Sequence, residues 1–374
     1  MKEGIRMHGK ASKELQKEVI DKGLCTLCGG CTGTCPYLVV YDGRIVRLHR
    51  CDMSEGQCYH YCPRTYMDMD AISRHIFGAP YGEGEIGSVR EVFLARSTDQ
   101  VIHQKAQDGG IVTTLLSVAL AEGMIDGAVE TKLDEEKNPH GFIARNREEL
   151  LECAGVSYEP SPVIQAINRL PNETTEKLGF VGLPCHVACL SKMKLSPPTN
   201  RANIEHLEPV IGLFCGWTLS HSFHRFLQEH FDLAKAIKFD IPHHPEHSFD
   251  VYTPSGKESV DLDEISPYIN KACGYCFDMT AEFADISVGS GRAMFKGWNT
   301  VILRTKVGAE ILDIAKGRNA IEIQPIPDES LANLKRASLD KKKRALKNII
   351  SMTGGVDDLL YLGISQHLKE MLLE

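Results

Sequence analysis

The stretch Cys25–Pro36, CTLCGGCTGTCP, places cysteines at 25, 28, 31 and 35 and ends on a proline. Three thiolates three residues apart can wrap one cubane 4Fe-4S cluster if the backbone winds tightly and turns its amides toward the sulfides. Gly29, Gly30, Thr32 and Gly33 permit that winding, and Pro36 ends it. In this motif the fourth cysteine serves a different cluster, so Cys35 calls for further thiols downstream. Cys51, Cys58 and Cys62 provide them, the last within a CPRT segment that has its own trailing proline. By the crossover rule a first cluster takes Cys25, Cys28, Cys31 and Cys62. A second would have Cys35, Cys51 and Cys58, with Asp52, Glu55, a water or a three-iron core where the fourth thiol is missing. Zinc or disulfides are the competing readings of the whole set, and buried apolar packing is that of the second group.

Working outward, Leu15, Val19 and Ile20 among charges predict a lead-in helix within residues 1–24. Residues 25–78 form a ferredoxin-like cluster domain, in which Val39 to Leu48 is a hairpin turning at Asp42-Gly43. The glycine- and proline-rich Gly78 to Gly87 marks a boundary before an α/β body over 79–310. There the strand EVFLARS (91–97), the glycine loop at 107–110, a helix from about Ile111 to Glu122 and the strand IDGAVE (125–130) predict a βαβ unit with a parallel strand pair. A second such unit runs from LGFVGLPC (178–185) to VIGLFC (210–215), each strand carrying a cysteine at its carboxyl end, where open α/β sheets bind ligands. DISVGS (285–290) and NTVILRT (299–305) are expected to close the sheet. Residues 311–374 read as helical, with Leu331, Leu334, Leu346, Ile349 and Ile350 on one face.

Composition removes several classes of function. A net charge of −8 disfavours nucleic-acid binding, and the most apolar long window, Gly109 to Val129, is broken by Glu122 and Asp126, so no membrane span is expected. Thirteen cysteines, an odd number with no apolar signal segment before Cys25, point to the cytoplasm rather than a disulfide scaffold. Cys185, Cys215, Cys273 and Cys276 can hold a 4Fe-4S cluster or zinc equally well by spacing, and Cys189 could replace Cys185. Cys153 reads as core. The turn at Asp108, Gly109 and Gly110 before Thr113 suits a phosphate at a helix start, though it lacks GxGxxG spacing. His243, His244 and His247 read as a solvated loop rather than a metal site. Lys341 to Arg344 read as a solvated helix face, with docking of an acidic partner as the sharper alternative.

The cluster loop with CPRT, ARSTD (95–99), QDGGIVTTLL (107–116), GFVGLPCH (179–186), IGLFC (211–215), KACGYCFDMTAEFADISVGS (271–290) and GWNTVILRT (297–305) resemble one family, the coenzyme F420 hydrogenase/dehydrogenase beta subunits. The resemblance implies non-covalent FAD, hydride exchange with coenzyme F420, and two to three 4Fe-4S clusters passing single electrons to a partner. It assigns Cys185, Cys215, Cys273 and Cys276 to a cluster beside the flavin. It further implies that Asp108, Gly109, Gly110 and Thr113 hold FAD and that Gly182 and Pro184 shape the wall by its ring. Ser290, Trp298, Asn299 and Arg304 would line the adenosine or phosphate side, and His186 would steady charge on the ring. The family's usual glutamine after the GxPC cysteine is His186 here. Expected partners are a hydrogenase, a formate dehydrogenase, a heterodisulfide reductase, a synthase or a quinone or phenazine complex, the last making the chain peripheral to a membrane. A ferredoxin-driven reductase of a tetrapyrrole-like substrate and a non-enzymatic electron-wiring subunit are the alternatives.

Overall fold

The computed structural model describes residues 9–82, 84–171, 174–196, 202–242, 245–291 and 295–374; His243 and His244 lie outside them. Near the N-terminus a short helix, Ser12–Leu15, runs into a wider turn, Gln16–Ile20, that buries Leu15 and Val19. The expected hairpin is present as β1 (Leu38–Tyr41) and β2 (Arg44–Arg47), paired antiparallel. Its turn residues Asp42 and Gly43 both have positive φ, 50° and 65°, as a two-residue turn matching strand twist requires. A side chain at Gly43 would lie 2.0 Å from Cβ of His221, so the turn is pressed onto the body.

The body is built on eight strands of one mixed sheet: β3 (Glu91–Ser97), β4 (Gly127–Leu133), β5 (Pro139–Ala144), β6 (Leu178–Gly182), β7 (Leu207–Leu213) and, later in the chain, three more. Helix α3 (His221–His230) and a small antiparallel sheet intervene, the sheet made of β8 (Lys238–Asp240), β9 (Ser248–Thr253) and β10 (Gly256–Asp261). The large sheet is completed by β11 (Ile286–Ser290), β12 (Asn299–Leu303) and β13 (Ile321–Pro325), in the order β13-β3-β12-β11-β7-β6-β4-β5. Strands β4, β6, β7 and β11 are parallel, and the remaining pairings are antiparallel.

The second expected βαβ unit is β6, helix α2 (Pro184–Leu195) and β7, parallel neighbours. The first is corrected. Helix α1 (Ile111–Ala121) does join β3 to β4, but four strands separate them, and β3 pairs antiparallel with β12 and β13. Strands β11 and β12 are interior, not closing, strands. The sequence pattern finds the strands but cannot tell which later segments insert between them.

Alternate side chains of the strands feed two cores, as a period of two demands. Leu178 and Phe180 pack with Val187 and Leu190 of α2, while Val181 joins Leu115 and Leu116 of α1 and Ile311 and Leu312 of helix α4 (Lys306–Gly317). Helix α5 (Asp328–Thr353) buries Ala345, Leu346 and Ile349 in the first of these cores. It also corrects the expected solvated face at Lys341 and Lys342, while Lys343 is half-buried and Arg344 is exposed. Lys341 and Lys342 are buried; Lys342 pairs with Glu282 at 2.6 Å, both 2% exposed, and bonds Tyr81 Oη. Among the described residues no helix is long and apolar enough to cross a membrane.

Candidate functional site: three sets of thiols and a glycine loop

The loop Cys25–Pro36 is wound against the segment 162–168. Asn168 Nδ2 donates to the carbonyls of Thr32 (2.8 Å), Gly30 (3.2 Å) and Gly29 (3.4 Å), and Gln165 Nε2 to Thr32 Oγ1. Gly29 and Gly33 take positive φ, and a side chain at Gly29 would strike the Pro162 carbonyl at 2.6 Å. Only glycine permits both the turn and this close approach. The loop thereby aims Cys25, Cys28 and Cys31 toward Cys62, each thiol within electrostatic reach of others in the set. Burial pushes Cys25 up to about 12 and Cys62 up to about 11. Cys28 is the exception, held down to about 7 by a hydrogen bond with Cys189.

Cys35 and Cys51 gather near Cys58, which burial pushes up to about 11, and this group adjoins Cys31. In the body, Cys185 opens the first turn of α2, Cys215 follows β7, and Cys273 and Cys276 bracket a tight turn, so the carboxyl ends of two parallel strands meet a CxxC loop. Cys185 senses Cys276 and Cys215, and Cys215 senses Cys273 and Cys276. Thr218 N–H also points at Cys273 Sγ, 3.3 Å. Burial alone would raise Cys276, but the Lys341 ammonium and Arg64 guanidinium outweigh it and hold that thiol below the usual range. Cys185 thus sits with the body set and Cys189 with Cys28, which separates the two residues that spacing leaves interchangeable.

The chemistry of these thiols can be tested against a metal. A tetrahedral zinc needs sulfurs about 3.8 Å apart, from a Zn–S bond of about 2.3 Å. Among the described residues no three cysteine sulfurs fall within 4.8 Å of one another. None of the sets is closed up around a single ion, and their number of thiols is consistent with iron-sulfur binding. Buried thiols of raised pKa stay protonated until a metal replaces the proton, so occupation of such sites releases protons.

The glycine loop lies at the same end of the sheet. Gly110 takes φ 74° and starts α1; a side chain at Gly109 would fall 2.8 Å from both Ala95 O and Asn299 Oδ1. Asn299 Oδ1 accepts from Ile111 N–H (3.2 Å) and its Nδ2 donates to Gly289 O (3.1 Å), so it positions the loop rather than facing a ligand. Arg304 is likewise removed from the ligand side: its guanidinium bonds Ser287, Ile86, Ser88 and Thr280, and it is 2% exposed. Trp298 carries the Arg96 guanidinium 4.6 Å from its ring centroid, and Ser290 sits at the end of β11 beside Asn299. Thr113 is buried one turn into α1.

Gly182 must be glycine because His186 Cβ and the Phe180 ring each come within 2.7 Å of where a Cβ would stand. Pro184 is buried in the first turn of α2. His186 caps that turn, its Nδ1 accepting from Leu183 N–H at 3.1 Å. Burial pushes its imidazole down to about 4, so it is neutral. Its ring also meets the Ser161 backbone, and the Gln107 Oε1 and Ser161 Oγ are buried without hydrogen-bond partners in the chain. His247 lies beside Asp261 and Asp263 in an exposed group. Cys153 is half-buried next to Glu130 rather than in the core.

The residues that spacing did not reveal are cations. Lys192 Nζ, buried, donates to the carbonyls of Cys62 (2.8 Å), Tyr66 (2.9 Å) and Thr65, and Lys341 Nζ to Cys215 O (2.6 Å). Lys192 does carry a signal: Cys185, Cys189 and Lys192 fall at 0, 4 and 7 on one face of α2.

A mixed α/β sheet whose carboxyl end gathers partly buried thiols and a glycine loop is an arrangement suited to a redox protein. The chain belongs to the coenzyme F420 hydrogenase/dehydrogenase beta subunit family. Residues 92–168 match the model of the family's beta subunit N-terminal part and 175–329 that of its C terminus. It is 35% identical over 271 residues to the coenzyme F420 hydrogenase subunit beta of Methanothermobacter thermautotrophicus, covering 71% of this chain and 95% of that one. It is 30% identical over 346 residues to the coenzyme F420-dependent sulfite reductase of Methanocaldococcus jannaschii, covering 88% of this chain but only 52% of that longer protein. The structure resembles a chain in the xenon-derivatized F420-reducing [NiFe] hydrogenase complex from Methanosarcina barkeri, with a TM-score of 0.66, 31% identity, and coverage of 73% of this chain and 96% of that one. By the names of these relatives the family is one of oxidoreductases.

Proposed function

We propose that the chain is an iron-sulfur flavoprotein subunit that exchanges a hydride between coenzyme F420 and FAD and relays single electrons to a partner redox subunit. The observation that carries this reading is the serial placement of the thiols. The body set adjoins Cys28 of the first N-terminal set, and Cys31 of that set adjoins the group around Cys58. FAD, when bound, supplies a carrier that takes two electrons as hydride and releases them one at a time. Gly109 and Gly110 present helix-start amides to its phosphates, with Thr113 one turn behind. Gly182 and Pro184 bring backbone close to the ring, and His186, buried and neutral, caps the turn behind them without adding charge. Cys185, Cys215, Cys273 and Cys276 hold the cluster nearest the flavin. Cys25, Cys28, Cys31 and Cys62 hold the next, in a ferredoxin-like N-terminal domain, and Cys35, Cys51 and Cys58 the last, with a non-thiol fourth ligand. The partner is of the kind those relatives' names record, a hydrogenase or a sulfite reductase.

The test is anaerobic purification followed by flavin, iron and sulfide analysis and reduction by reduced F420. About eight to twelve irons and one FAD per chain are expected. Cys276→Ala should keep FAD reducible while blocking electrons to the N-terminal sites; Cys28→Ala should spare flavin and body cluster. Stoichiometric zinc with trace iron, or a Cys276 variant that still reduces an acceptor through the N-terminal sites at the parent rate, overturns the assignment.

A further inference from the structure

Arg64 occupies the space between two of the thiol sets. It follows Cys62 and Pro63 on the N-terminal loop, is 6% exposed, and reaches across to the body. There Nη2 donates to Ala272 O (3.2 Å) and Nη1 makes a long bond to Tyr275 O (3.4 Å), the carbonyls that precede Cys273 and Cys276. Its guanidinium lies 4.6 Å over the Tyr361 ring and contacts the Cys276 thiol. On its own side the Arg64 amide points at Cys62 Sγ, 3.4 Å, and its charge bears on Cys25 and Cys28. Its Nε–H is buried and has no partner in the chain.

A guanidinium stays charged when buried, and leaving water is costly unless negative charge surrounds it. A cube with four thiolates is an anion that gains one further negative charge on reduction, so a cation fixed beside it in a weakly screening interior favours the reduced form. Other buried cations act on one side only: Lys192 on the Cys62 side, Lys341 on Cys215 and Cys276. Arg64 touches both.

We propose that Arg64 is the shared electrostatic control of the two cluster sites it separates, raising both reduction potentials together across the one-electron exchange between them. This rests on the cluster reading of the two thiol sets. In that exchange one electron leaves the body cluster (1+ to 2+) and enters the N-terminal one (2+ to 1+). No atom or proton moves, and Arg64 remains charged throughout.

Iron and sulfide analysis with EPR-monitored redox titration of the anaerobic full chain tests this on the parent, Arg64→Met, Arg64→Lys and Lys341→Met. With Arg64→Met, both midpoints should fall by at least a tenfold change in the reduced-to-oxidised ratio, about 59 mV for a one-electron couple. Arg64→Lys should stay near the parent, and Lys341→Met should lower the body site alone. Full iron with either midpoint unmoved in Arg64→Met overturns the proposal. If that variant loses iron, Arg64→Lys decides: parent-like iron and midpoints uphold control by charge. Any other result with lysine assigns Arg64 a structural role through its bonds to Ala272 and Tyr275. A parent chain without iron removes the cluster reading itself, whatever Arg64 does.

Discussion

Gly30 shows how little room separates the thiols. A Cβ there would stand 2.3 Å from Cys189 Sγ, and the backbone conformation itself does not demand glycine. Gly30→Ala should therefore destabilise the chain by about 1–3 kcal/mol through overpacking and lower its iron content. Cys189→Ala in the same chain should restore both, because the obstructing atom is then gone. Thermal melting and iron analysis of the pair check this, and a double variant no better than Gly30→Ala refutes it. Glu130 is a different case, a carboxyl on β4 with one oxygen unbonded, which burial pushes from 4.5 up to about 8. Between those values the unfolded chain has released the proton and the folded chain retains it, so stability falls as pH rises from about 4.5 to 8. Glu130→Gln should match the parent near pH 5 and exceed it at pH 8 by up to roughly 4 kcal/mol. Superimposable stability curves against pH would contradict the burial argument.

At the scale of elements, the start of α1 depends on a residue nearly two hundred positions away. Asn299 on β12 satisfies the Ile111 amide and Gly289 carbonyl and walls the Gly109 turn. Asn299→Ala leaves a buried amide and a buried carbonyl unbonded, so a loss of about 1–3 kcal/mol is expected, with weaker flavin retention on gel filtration. Asn299→Asp keeps the acceptor for Ile111 and should retain more of both. Equal flavin retention in all three chains would show that the loop's geometry does not depend on Asn299. The same interaction explains a limit of sequence reading. The turn Asp108-Gly109-Gly110 is legible as a helix start, but Asn299 reads as a ligand contact because nothing in its neighbourhood names the amide it serves.

The whole molecule is tied together by buried charge as well as by apolar cores. Lys342 on α5 pairs with Glu282, and the same carboxylate accepts from Tyr81 Oη. Removing one partner leaves the other charged and buried, so Lys342→Met should destabilise by about 3–5 kcal/mol, while Lys342→Met with Glu282→Gln should recover much of it. Chemical denaturation measures both, and a single variant within 1 kcal/mol of the parent would mean that α5 is not anchored by this pair. Residues Met67–Asp68 pairing with Leu362–Gly363, and Lys192 reaching Cys62, likewise join the N-terminal region to the body.

Local chemistry dictates the tight cysteine loop at 25–36, the hairpin turn at Asp42-Gly43, the helix starting at Ile111, the β6-α2-β7 unit and the cysteines at two strand ends. Those features depend on neighbours within a few residues, where spacing, glycine and proline suffice. Packing between distant segments puts β12 and β11 between β3 and β4, sets Cys189 beside Cys28 rather than the body set, and buries Arg304, Lys341 and Lys342. A lysine run reads as solvated in any one-dimensional pattern. The burial of Lys341 and Lys342 follows from partners on other elements, the Cys215 carbonyl and Glu282, which the chain brings into reach only by folding.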